Sequence, residues 1–248
     1  MMHQKVAKFY FFFNIAKNSR KFIIVSNLLR IFAKRKMKYD LFESVSQGVD
    51  GAYDAKNRRI REVSDELQRL CSLYEAEFRN SETDGSRFEV EQRVAEQYAK
   101  SVGMWIPMEQ VFRMGSPGPS GNENDTYVSD TAVFKVNNLM NNGGICKLLE
   151  KILLHNVIFP NTAYAFVGFA GYDGRSVMPL LRQKRIRNSE PATQIMIDTY
   201  MAAIGFTKVN EEGRFANDEY EVWDLVPRNV LQDSDGDIYV VDAEIKKI

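Results

Sequence analysis

Asp224, Asn229 and Asp242 are the residues of this 248-residue chain whose types and spacing could do chemistry together. They lie in Val222-Trp-Asp-Leu-Val-Pro-Arg-Asn-Val-Leu231, which runs on into Gln-Asp-Ser-Asp-Gly-Asp-Ile-Tyr-Val-Val-Asp242. One carboxylate can accept a proton from a hydroxyl, and a second carboxylate with an amide oxygen suits hard cations, which prefer oxygen ligands. Those are the needs of phosphoryl transfer, in which an acceptor hydroxyl must face the phosphate while Mg²⁺ neutralises charge on the phosphate oxygens. A turn at 233–236 would fold two strands back so that Asn229 and Asp242 meet at one end. The same turn, Asp233-Ser-Asp-Gly-Asp237, has the alternating acids of a calcium loop. Such a loop requires a bidentate Glu at its twelfth position and flanking helices, whereas Ile238–Val241 is a β-run, so a solvated hairpin turn is expected.

Upstream, the apolar residues Ile60, Val63, Leu67, Leu70, Leu73 and Tyr74 recur at spacings of three and four and predict an amphipathic helix over 55–78. A second helix is expected over 88–102, ending at Gly103. Trp105–Phe112 reads as a strand, and Gly115, Pro117, Gly118, Pro119 and Gly121 force a turn. Two short strands at 127–128 and 132–136, a helix at 147–155, strands at 163–169 and 177–182, and a helix at 192–204 follow. In that last helix Ile195, Met196, Thr199 and Tyr200 are the expected buried face. Mixed α+β architecture results.

The composition, 44% hydrophobic and 27% charged, fits one ordinary globular domain. Net charge is zero, yet residues 1–39 hold ten Lys or Arg and no acid, which leaves the remainder at about −10. Three readings of this arm stand: sequence upstream of a true start at Met37, a basic helix touching a membrane surface, or a secretory signal. The last lacks a small-residue cleavage site. No apolar stretch reaches the roughly 20 residues of a membrane span. Cys71 and Cys146 are far apart and only His3 and His155 could join them, which argues against disulfides and zinc and for a reducing cytoplasm. His155 reads as a structural helix-end residue. The basic cluster Gln183-Lys-Arg-Ile-Arg187 sits in an acidic body, so no nucleic-acid partner is expected.

The stretch from Asp224 to Asp242 resembles the catalytic loop and metal-binding strand of protein kinases, with Asp224, Asn229, Gly236 and Asp242 in the matching places. More specifically, residues from about Trp105 to Glu244 resemble the kinase domain of polyvalent proteins carried by phages and conjugative elements, particularly Bacteroidetes-type sequences. Four pieces carry the match: Pro117-Gly-Pro-Ser-Gly-Asn-Glu-Asn-Asp-Thr-Tyr127, Phe134-Lys-Val-Asn-Asn138, Tyr220-Glu-Val-Trp-Asp-Leu-Val-Pro-Arg-Asn229 and Ile238-Tyr-Val-Val-Asp-Ala-Glu244. The resemblance implies a minimal protein-kinase-like α+β fold with an antiparallel N-lobe sheet plus helix, a truncated C-lobe and an N-terminal helical extension. The expected divisions are a basic extension at 1–36, a helical segment at 37–103 and the kinase-like domain at 104–248.

The resemblance also implies ATP and Mg²⁺. Asp224 would be the base or orienter, Asn229 and Asp242 the metal ligands, and Lys135 the contact to the α- and β-phosphates. Glu150, on the next helix, would pair with Lys135, and Ser120, Gly121 and Asn122 would form the phosphate-covering turn. The segment 183–187 falls where the adenine-binding hinge is expected. Several positions depart from the family. Val222 and Trp223 replace the usual His and Arg, so other packing must hold the loop. Val226 replaces the usual Lys, with Arg228 four residues after Asp224 as the candidate for charge stabilisation. Asp-Phe-Gly becomes Asp242-Ala-Glu244, with six residues following. An ordinary peptide-docking platform is therefore not expected. Either the acceptor is docked otherwise, or the domain is a minimal or inactive nucleotide binder.

Overall fold

In the computed structural model, which describes residues 49–78 and 86–248, the chain opens with two helices, α1 (Val49–Phe78) and α2 (Arg87–Val102). The readings of residues 1–36, including membrane contact and a start at Met37, fall outside the described residues. The boundaries of α2 are set locally. Ser86 and Glu89 form a reciprocal capping box, and Gly103 closes the helix at φ 72°, a conformation open to glycine without a Cβ penalty.

Six strands follow: β1 (Trp105–Pro107), β2 (Ser116–Pro117), β3 (Asn124–Val128), β4 (Ala132–Asn137), β5 (Ala165–Gly171) and β6 (Val177–Lys184). They form one sheet in the order β1-β5-β6-β4-β3-β2, antiparallel except for the β1–β5 pair. Side chains alternate across this sheet, as a two-residue period requires. Phe169 and Leu181 enter a core beneath α1, α2 and helix α4 (Ile145–Ile158), whereas the adjacent Ala170 and Leu180 enter a second core on the other face. Ile60, Val63 and Leu67 of α1, Val94 and Tyr98 of α2, and Leu148 and Leu149 of α4 share the first core. The two N-terminal helices thus bury their apolar stripes against the sheet-backed helix. On the other face, Met108 and Val111 of the short helix α3 (Met108–Val111) pack on Val136 and Leu180.

The expected strand over 105–112 is therefore only half right. Pro107 ends β1, and the i, i+3 pair Met108 and Val111 turns the chain into α3 because both are buried there. Similarly, α5 (Gln194–Ala203) forms, but its buried residues are Ile197 and Met201. Ile195 is 78% exposed and Met196 37%. The face is rotated from the expected one because Thr193 caps the helix and Ile197 and Met201 meet the core of the second region.

That second region is built of short strands. β7 (Ser189–Pro191), β11 (Val230–Asp233) and β12 (Ile238–Val240) make one sheet. β8 (Thr207–Asn210), β9 (Arg214–Ala216), β10 (Tyr220–Trp223) and β13 (Glu244–Lys247) make another. Sequence periodicity did not indicate β7, β8, β9 or β13. Each is three or four residues long, and most of their side chains are charged or half exposed. Phe159, Ile197, Met201, Phe206, Phe215, Val222, Leu225, Val230 and Ile245 form the core between the two sheets and α5. The acidic turn is a hairpin turn. One oxygen of Asp233 accepts the backbone N–H groups of Asp235 and Asp237, both at 3.0 Å. Among the described residues no cluster of three His, Cys, Asp or Glu is arranged to hold a metal ion. No described helix is long and apolar enough to cross a membrane.

Candidate functional site

Lys135 sits on β4 with Val136 turned to the opposite face of the sheet, and its ammonium is buried. Nζ donates to Tyr164 Oη and to the Val241 carbonyl, each at 2.8 Å, and lies 3.9 Å from an Asp242 carboxylate oxygen. Tyr164 Oη donates to the same Val241 carbonyl at 2.8 Å. Residues 106 positions apart in sequence thus meet at one point beside Asp242. Burial pulls the Lys135 pKa down, and the Asp242 carboxylate opposes that pull.

Asp224 follows β10 at φ 61°, a left-handed conformation that Asp adopts more readily than most residues. Its carboxylate is engaged on both oxygens, one by Arg228 and the other by Asn229 Nδ2 at 2.8 Å. Asn229 Nδ2 also donates to the Asp224 carbonyl, and the Asn229 carbonyl accepts the N–H groups of Val241 (2.9 Å) and Asp242 (3.3 Å). The residues read from the sequence as one set are tied together through backbone as well as side chains. No donor among the described residues reaches Asn229 Oδ1, and the Asp242 side chain is 41% exposed. An amide oxygen and a carboxylate left open in this way fit a hard cation.

The packing that replaces the missing His and Arg is visible around the loop. Val222 and Leu225 are fully buried on either side of Trp223 and Asp224. Leu225 N–H donates to the Gly213 carbonyl at 3.1 Å, and a Cβ on Gly213 would lie 2.4 Å from the Leu225 oxygen. Only glycine allows that approach. Trp223 is flanked by Arg214 at 5.6 Å and Lys246 at 6.0 Å from its ring centre.

The turn between β2 and β3 is hydrogen-bonded within itself. Thr126 Oγ1 donates to the Pro119 carbonyl at 2.6 Å, Thr126 N–H reaches Ser120 Oγ at 3.4 Å, and Gly121 N–H donates to the Asn124 carbonyl. Asn138 Nδ2 donates to the Asn122 carbonyl. A Cβ added to Gly121 would meet nothing within 4 Å, so no protein atom demands glycine there.

Glu150 requires a correction: it lies on the exposed face of α4, and Lys135 forms its ion pair with Asp242. The next residue, Lys151, turns inward instead. A helix advances about 100° per residue, so Lys151 falls on the stripe of Leu148, Ile152 and His155 while Glu150 falls outside it. That i, i+3, i+4, i+7 spacing was the sequence signal available for Lys151. Its side chain is 12% exposed, and its ammonium contacts Glu244 at 2.7 Å and Glu123 at 3.4 Å. Burial works to lower the Lys151 pKa, but Glu244, Glu123 and Asp242 outweigh it and hold it above the usual lysine value. Burial raises the Glu244 pKa, against the pull of Lys151. Tyr164, the other residue that sequence reasoning missed, gave no sequence signal.

His155 is buried, with Nε2 3.3 Å from Thr162 Oγ1 and the Phe159 and Tyr164 rings beside it. Burial and the nearby Lys135 charge push its pKa down to about 3, so the ring is neutral at physiological pH. In the 183–187 cluster, Gln183 points inward to the Thr162 carbonyl, while Arg185 and Arg187 bond the carbonyls of Ser129 and Asp130. A separate cleft of about 460 Å³ lies between α5 and the β11–β12 hairpin, lined by Ile195, Met196, Tyr200, Gln232 and Ile238 among others. None of the residues that converge near Lys135 lines it.

The sequence model of a family described as "Serine/Threonine/Tyrosine Kinase found in polyvalent proteins" matches residues 89–247. No curated protein matches the chain.

Proposed function

The chain belongs to the serine/threonine/tyrosine kinase family of polyvalent proteins, and on that premise we propose that it is an ATP- and Mg²⁺-dependent phosphotransferase acting on a hydroxyl acceptor in the cytoplasm. The observation that carries this reading is the meeting of Lys135, Asn229 and Asp242. The Lys135 ammonium bonds the carbonyl next to Asp242, and the Asn229 carbonyl holds the Asp242 N–H.

On this reading Asn229 Oδ1 and the Asp242 carboxylate would hold Mg²⁺, which would supply charge neutralisation on the phosphate oxygens. Lys135, held beside Asp242 by the Val241 carbonyl and Tyr164 Oη, would offer its ammonium to the α- and β-phosphates. The turn at Ser120, Gly121 and Asn122 would cover the phosphates, and the open space at Gly121 leaves room for close approach. Asp224 accepts the proton of the acceptor hydroxyl or orients it, and Arg228, 70% exposed, offers positive charge beside it. The region from β7 to β13 serves as a reduced second lobe.

A second reading, a nucleotide-binding module without turnover, is favoured by one observation. Both oxygens of Asp224 already accept hydrogen bonds, from Arg228 and Asn229, so an acceptor hydroxyl would have to compete with them for the carboxylate. Purified full-length protein and Asp224→Asn, assayed for ATP turnover and autophosphorylation, separate the two. A kinase loses about 10²- to 10⁴-fold in rate on this change, while equal background from both proteins leaves the binding module. Asp242→Asn should abolish Mg·ATP-dependent thermal stabilisation under either reading, and a wild type with no such stabilisation would refute both.

A further inference from the structure

The helix that the family resemblance expected to offer an acid to the site offers a base. Lys151 is buried between two carboxylates that belong to different parts of the molecule. Glu123 lies where the phosphate-covering turn enters β3, and Glu244 opens β13, two residues beyond Asp242. Glu123 is further held by Asn141 Nδ2 at 2.9 Å and Asn142 Nδ2 at 3.2 Å, and its carbonyl accepts the Asn138 N–H at 2.8 Å. Among the described residues Glu244 has no comparable set. Its side chain is 31% exposed, and Lys151 is the cation beside it.

We propose that Lys151 is a positioning residue, a clasp of reversed charge that fastens the phosphate-covering turn, through Glu123, to the metal-binding strand, through Glu244. The inference rests on the phosphotransferase reading for its consequence, but the clasp itself is a property of the folded chain. Three acids, Glu123, Asp242 and Glu244, crowd the space around one ammonium, and each raises its pKa. Without that ammonium, Glu244 would be partly buried next to like charge, and the bridge from Glu123 of the turn to Glu244 of the strand would be lost.

The helix that carries Lys151 is itself anchored at both ends. The Glu91 carboxylate accepts the first N–H groups of α4, from Ile145 at 2.7 Å and Cys146 at 2.9 Å. Asn156, near the other end, donates to Asn57 of α1 and to the Tyr164 carbonyl. A Cβ on Gly144 would lie 2.5 Å from the Glu91 oxygen, so that cap also depends on glycine. The position of Lys151 is therefore fixed from α1 and α2. Any shift of α4 would loosen the turn and the strand together.

The test uses the full chain without nucleotide first. Backbone hydrogen exchange is followed in two segments, 118–126 and 244–247, for wild type, Lys151→Met and Lys151→Arg. The clasp predicts that Lys151→Met speeds exchange in both segments, on the order of tenfold, while Lys151→Arg stays near wild type. The apparent Mg·ATP midpoint, read by thermal shift, should weaken by on the order of tenfold in Lys151→Met, as loss of an outer-sphere partner does at metal sites. Unchanged exchange in both segments in a folded Lys151→Met overturns the proposal. If Lys151→Met does not fold, Glu123→Gln and Glu244→Gln each cut one arm. Loosening of the distant segment by either supports the clasp, and loosening confined to the mutated segment refutes it. Altered exchange with no Mg·ATP response in wild type would support the clasp and refute the nucleotide reading.

Discussion

Lys135 and Lys151 are held in the helix-backed sheet region, where burial and packed neighbours fix them, whereas Asp224 and Asn229 stand in a half-exposed loop of the strand-rich region, fixed by hydrogen bonds. The first region has a long, three-helix core around Leu67, Tyr98 and Leu149. The second has four- and three-stranded sheets of short strands, and its loop is shaped by one left-handed Asp and one close glycine contact. Each kind of group sits where its solvation requirements are met. A buried ammonium needs a rigid, low-dielectric setting with partners in place, while the proton acceptor and metal ligands proposed for the loop would need access to solvent and substrate.

The comparison breaks most visibly if stability and chemistry fail to separate. Leu67→Ala, in the sheet region, should cost about 2–5 kcal/mol of stability, the usual range for a fully buried leucine. Asp224→Asn should change stability by less than about 1 kcal/mol, since Asn also tolerates the left-handed conformation and the site is partly exposed. Denaturant unfolding of both variants checks this. Equal losses would mean that the two regions do not differ in this way.

A smaller effect sharpens the picture of the buried site. The His155 pKa is about 3 in the folded chain against its ordinary 6.5. A depressed folded value means that the unfolded chain binds the extra proton, so stability due to neutral His155 is complete above pH 6.5 and declines as pH falls toward 3. The decline should approach about 1.4 kcal/mol per pH unit inside that window. His155→Gln should flatten the profile between pH 6 and 4.5, above the range where most carboxylates titrate. An unchanged slope would show that His155 is not a buried neutral group.

The smallest expected change is at the start of α2. Ser86→Ala removes one half of the capping box and should cost about 1 kcal/mol, seen as a modest fall in Tm without a change in Mg·ATP response. A large loss of nucleotide response would mean that the end of α2 is coupled to the site more tightly than its packing suggests.

How much of this was legible before the fold was known depends on the reach of each signal. Gly103 marks the end of its helix because capping is a matter of three or four neighbouring residues; the Ser86–Glu89 capping box at the other end is equally local and was a signal left unread. Asp224, Asn229 and Asp242 could be grouped because a single hairpin joins them. Lys135 stood out from its apolar neighbours on a strand. By contrast, the choice between Glu150 and Lys151 turned on a rotation of one residue, and the face of α5 was misjudged in the same way. The strands β8, β9 and β13 carry too few apolar residues to announce themselves, and they form by pairing in one sheet with β10, with Phe215 of β9 and Ile245 of β13 entering the same core as Val222. Sequence alone thus determined the local turns, the helix ends and the spacing of the catalytic-loop residues, since backbone conformation and short periodicities decide those. Only the tertiary structure decided that Lys135 meets Val241 and Asp242, that Tyr164 stands beside them, and that Lys151 meets Glu123 and Glu244. Those pairings span up to about a hundred residues and are selected by which apolar faces are buried together, a choice that no local pattern encodes.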